Sequence, residues 1–71
     1  MATTDKQKFT INTILFTISE CLGYEIDEKN YIVYKLAKGG IEIKIRLCLQ
    51  KYIIYRILAN GFISQKFTST I

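Results

Sequence analysis

The sequence predicts an α+β domain: one N-terminal amphipathic helix packed on an antiparallel three- to four-stranded meander sheet. Three observations carry that expectation. Ile41, Ile43, Ile45, Leu47 and Leu49 alternate without a break against Glu42, Lys44, Arg46 and Cys48, the period-2 pattern of a strand with one buried face. Ile11, Ile14, Leu15, Ile18 and Leu22 recur at helical spacing along one stripe. Gly39-Gly40 and Asn60-Gly61 then separate apolar runs in the manner of hairpin turns.

Taken in order, residues 1–4 read as a frayed terminus and residues 5–22 as the helix. Thr4 or Asp5 supplies an N-cap, Gln7 stands at the capping-box position after Thr4, and Gly23 supplies a left-handed stop. Phe9 and Phe16 are expected to widen the apolar face toward the sheet. Residues 24–30, YEIDEKN, form an acidic connector. Strands follow at 31–38, 41–49, 53–59 and 62–68, within a single domain of 71 residues. A two-residue turn at Lys38-Gly39 or Gly39-Gly40 puts Ile32, Tyr34 and Leu36 on the core face and Tyr31, Val33 and Lys35 on the outer face. After Leu49, an odd-numbered loop is needed to point Ile53, Tyr55, Ile57 and Ala59 inward, because an even one would bury Arg56. Asn60-Gly61 as a type I′ pair then places Phe62, Ser64, Lys66 and Thr68 inside and Ile63, Gln65 and Phe67 outside. A short terminal helix is the competing reading of 62–68.

Composition narrows the functional classes. The chain has no His, the commonest general base near neutral pH and the commonest metal ligand, and its two cysteines, Cys21 and Cys48, are too few for a disulfide framework or a structural zinc site. No nucleophile has a base, no glycine pattern cradles a phosphate, and Glu25, Asp27 and Glu28 match no cation-binding loop. The expectation is a protein that is not an enzyme, with no cofactor, no metal and no small-molecule substrate. The run from Phe9 to Ile18 is too interrupted for an export signal, and no run approaches a membrane span. Free thiols then place the chain in the cytoplasm, or the host cytoplasm if it is viral. Thirteen Ile against a single Val, and eight Lys against two Arg, are the biases of an A/T-rich coding sequence, as in many viruses and mobile elements.

Charge is divided along the chain. Residues 1–28 carry Lys6 and Lys8 against five carboxylates, a net of −3, whereas residues 29–71 carry eight Lys or Arg against Glu42 alone, a net of +7. On the expected outer face Lys35 would oppose Lys44, and Arg46 would oppose Arg56. Opposed like charges ask for an anion. With Tyr31 and Tyr52 beside them, these four residues make a candidate nucleic-acid surface, tracking phosphates and stacking bases. The same face would gather Val33, Ile54, Leu58, Ile63 and Phe67, which one helix on the other side could not cover, and exposed apolar clusters mark interaction sites. The first expectation is therefore a non-enzymatic interaction module. It would form a homodimer or bind a partner protein through this basic and apolar face, in the manner of an accessory or inhibitory protein of a virus or mobile element. Nucleic-acid binding is the alternative.

Overall fold

A computed structural model describes residues 3–48 and 50–70, and within them one helix packs on a four-stranded antiparallel sheet in the order β1-β2-β3-β4. Helix α1 spans Asp5–Leu22, and the strands are β1, Tyr31–Lys35; β2, Ile41–Cys48; β3, Lys51–Ile57; and β4, Ile63–Thr70. The last segment is thus a strand. Leu49, expected to end the buried face of β2, and the first two residues of the expected frayed terminus lie outside the described residues.

Both helix caps form as the sequence indicates. The Gln7 backbone N–H donates to Thr4 Oγ1 at 3.1 Å while the Thr4 N–H donates to Gln7 Oε1 at 3.0 Å, closing a capping box. At the other end Gly23, at φ 83°, donates to the Ser19 carbonyl. Asp27 accepts from the Glu28 N–H and starts a single 3₁₀ turn, Glu28–Asn30, that leads into β1. Part of the acidic connector therefore serves as a cap.

The core among the described residues consists of Ile14 and Ile18 of α1 against Ile41, Ile43 and Ile45 of β2 and Ile53 and Ile57 of β3. Ile11, Leu15, Leu22, Ile26, Tyr31, Leu47 and Tyr55 pack around them. The helical stripe and the period-2 stretch thus meet each other. Phe9 and Phe16 do not join them: they are 73% and 67% exposed, because α1 turns Ile14 and Ile18 directly onto the sheet and leaves the phenylalanines on its flanks.

Facing along β1 is the reverse of the expectation. The turn does use Lys38 and Gly39, at φ 60° and 80°, as its central pair. However, the Leu36 N–H bonds to the Gly40 carbonyl, and pairing resumes as Lys35↔Ile41, Val33↔Ile43 and Tyr31↔Ile45, one residue away from a simple two-residue hairpin. A single-residue slip moves every side chain to the other face. Tyr31, Val33 and Lys35 lie on the helix side; Ile32 and Tyr34 lie outside.

The β2–β3 hairpin has the expected facing from a different cause. Cys48 pairs with Lys51, leaving two residues between them, and the odd residue sits inside β2 as a bulge between Arg46 and Cys48. Ile53, Tyr55 and Ile57 face the helix, whereas Ala59 lies beyond the strand, exposed in the next turn. That turn is not type I′. The Gly61 N–H returns to Leu58, the Leu58 N–H bonds to Phe62, and only Gly61 of the Asn60-Gly61 pair has positive φ, at 90°, so the loop holds three residues. A bulge at Ser64 restores the parity: Lys66 and Thr68 stand opposite Tyr55 and Ile53, Gln65 and Phe67 opposite Arg56 and Ile54. Before the bulge, Ile63 pairs with Ile57 and so belongs to the helix side.

Candidate interaction face

The strand register determines which candidate side chains come together. Across β2 and β3, Glu42 lies opposite Arg56, Lys44 opposite Ile54 and Arg46 opposite Tyr52, and β4 adds Phe67 opposite Ile54. With Ile32 and Tyr34 from β1, these residues occupy the sheet face away from α1. Lys44, Arg46, Arg56, Tyr52, Ile54 and Phe67 are thus gathered as expected. Leu58 is 47% exposed just past the end of β3. Val33, Lys35 and Ile63 are not part of this group, since the β1 slip and the residues before the β4 bulge turn them to the helix side; Tyr31, turned the same way, also lines a cleft shared with Lys44, Arg46 and Tyr52.

The expected opposition of like charges is absent. Lys35 pairs with Ile41, not Lys44, and Arg56 pairs with Glu42, not Arg46. The Arg56 Nε lies 2.9 Å from Glu42 Oε1, and its Nη1 donates to Gln65 Oε1 at 3.1 Å. The period-2 pattern contained the signal for this pair, because Glu42 and Arg56 lie on the same face in either facing of β1; which cation met it depended on the bulge. Among the described residues Lys44 and Arg46 have no carboxylate partner, so the face stays basic.

Aromatic rings take up part of that charge. Lys44 Nζ sits 4.4 Å from the centroid of Tyr52, and the Arg56 guanidinium carbon 5.6 Å from that of Phe67. Both are within cation–π range. At the β1 side Lys29, Asn30, Tyr31, Ile32, Tyr34, Lys44, Arg46 and Tyr52 line a shallow cleft of about 210 Å³. Ile32, 54% exposed, and Tyr34, 45% exposed, are the members sequence reasoning assigned to the core. The charged row of β2, Glu42, Lys44 and Arg46, thus runs between Ile32 and Tyr34 on one side and Tyr52, Ile54 and Phe67 on the other.

Other chemistry is sparse. Cys21 and Cys48 are exposed free thiols, no group of three or more His, Cys, Asp or Glu that could hold a metal ion occurs among the described residues, and no helix there is long and apolar enough to cross a membrane. Together the fold and the face define a small helix-on-sheet domain with one sheet surface open. Comparison of the chain with models of protein families, with curated proteins and with solved structures gives no match.

Proposed function

We propose that the protein is a non-enzymatic interaction module that docks a partner protein on the sheet face away from α1. One observation carries this reading: on a sheet face that the single helix leaves uncovered, Ile32 and Tyr34 of β1 and Ile54 and Phe67 of β3 and β4 form two apolar patches on either side of Lys44 and Arg46 of β2. Aromatic residues and Arg, both present on this face, are enriched at protein interfaces. The partner is a protein that presents carboxylates between apolar side chains. A small accessory or inhibitory protein of a virus or mobile element would work in this way, by covering a surface.

Co-purification from the source cell tests the proposal. A polypeptide recovered in stoichiometric amount with the wild-type chain should be lost with Ile54→Asp and kept with Thr17→Asp on the exposed side of α1. A stoichiometric partner indifferent to Ile54→Asp contradicts it.

Nucleic-acid binding is the second reading, favored by the cleft in which Lys29, Lys44 and Arg46 surround Tyr34 and Tyr52. It ranks second because the opposed cations that first suggested a phosphate ligand are not opposed, and because Lys44 already lies over the Tyr52 ring. For this reading, log affinity must fall linearly with log salt concentration, and Arg46→Ala should reduce that slope by about one. Absence of any shift of DNA or RNA at low salt rules it out.

A further inference from the structure

The two edges of the sheet are built differently. β1, at one edge, has only five residues and is bracketed by Lys29, Lys35 and Lys38. Short strands and lysines are the usual protection of an edge against further pairing. β4, at the other edge, has eight residues, Ile63–Thr70, with Lys66 as its single charge and no proline. Lys66 is on the helix side, over the ring of Tyr55, and so does not guard the edge from the outer side. Among the described residues, the N–H and C=O groups along the free side of β4 have no strand partners.

We propose that a second copy of this chain pairs with that edge, β4 against β4 in antiparallel register centered on Phe67, to give a continuous eight-stranded sheet. Three features select this occupant and register. First, β4 is nearly uncharged, so two copies do not repel along it. Second, antiparallel partners must point to the same face, and centering on Phe67 satisfies that while setting Phe67 against Phe67 of the partner subunit, an aromatic cross-strand pair. Each Lys66 then stands opposite Thr68 of the partner subunit. A register centered on Lys66 would oppose two ammonium groups, and one centered on Thr68 would shorten the pairing to residues 66–70. Third, a 71-residue chain is of the size at which self-association commonly supplements the core. Because the two-fold axis runs perpendicular to the sheet, both helices lie on one side and the two outer faces join, with Arg56 stacked on Phe67 at 5.6 Å in each copy.

The surface is distinct from the proposed docking face, and the test uses the protein alone. A monomer would overturn the edge pairing and leave the docking proposal standing. Sedimentation equilibrium of the full chain should show a dimer. Thr68→Lys, which opposes like charges twice, should weaken it about tenfold, and Thr68→Glu, which faces Lys66 twice, should strengthen it by a similar factor at low salt. A monomer at high micromolar concentration overturns the proposal. So does a dimer that responds alike to both substitutions, or one that Ile32→Asp dissociates and Thr68→Lys does not. As a check that does not depend on charge, Phe67→Cys in a Cys21→Ser, Cys48→Ser background should oxidize to a disulfide-linked dimer far faster than Ile32→Cys in the same background. Equal rates contradict the register.

Discussion

Gln7 concentrates much of the architecture in one side chain. It is 1% exposed; its Oε1 closes the capping box, and its Nε2 donates to the Gly39 carbonyl at 2.9 Å and to the Leu58 carbonyl at 3.1 Å. One amide thus ties the start of α1 to both turns at that end of the sheet. The capping half of this role was legible from the Thr4 and Gln7 spacing. The tertiary half was not, since a glutamine near a helix start gives no indication of carbonyls more than thirty residues away. Gln7→Ala removes the side-chain donor to the Gly39 carbonyl, one of two donors to the Leu58 carbonyl and the acceptor of the Thr4 N–H, and should cost about 3 kcal/mol, lowering the thermal midpoint by about 15 °C in a chain of this size. Gly61 is equally constrained. It has φ 90°, its carbonyl lies 2.6 Å from Thr10 Oγ1, and a Cβ there would come within 2.9 Å of the Lys6 carbonyl oxygen. Gly61→Ala should therefore destabilize by more than the about 1 kcal/mol of left-handed strain alone, measured by chemical denaturation.

At the scale of the element, the period-2 and helical patterns identified every strand and the helix, and the seven buried isoleucines come from those patterns. Facing was harder to read because it depends on parity, and parity depends on single residues that carry no compositional mark. The bulge near Leu47 stands in for the odd loop expected after β2, and the bulge at Ser64 cancels the extra residue of the Ala59-Asn60-Gly61 loop; in both cases most facings were right for a different reason. Nothing cancels the slip between Leu36 and Gly40, so the whole of β1 is reversed, and with it the places of Tyr31, Val33 and Lys35 among the candidate residues. The physical bias was weak there: β1 is a short edge strand whose two faces, Tyr-Val-Lys and Ile-Tyr, are similarly apolar. Stability measurements can read this facing. Ile43→Ala, fully buried in β2, should cost about 3 kcal/mol, whereas Ile32→Ser, 54% exposed on the outer face, should change stability by less than about 0.5 kcal/mol.

For the molecule as a whole, the basic half of the chain is shared between the two faces of the sheet, with Lys35 and Lys66 on the helix side. The basic residues Lys44, Arg46 and Arg56 share the open sheet face, and only Arg56 has a carboxylate there, from Glu42. The expectation that the open face would be basic and apolar survives the reversal of β1, because it rests on β2, β3 and Phe67. Ile32 and Tyr34 supply the β1 side of the face in place of Val33, and Ile63 leaves its β4 side. The account therefore makes the two faces of β1 functionally unlike, and adjacent residues of that strand can tell them apart. The most direct measurement places a photoreactive side chain at Ile32 in one variant and at Val33 in another and compares adducts formed in the source cell. A discrete polypeptide adduct from position 32, with little from position 33, is the predicted result. Adducts of equal yield from both positions, or from position 33 alone, would contradict the assignment of the open sheet face as the docking surface.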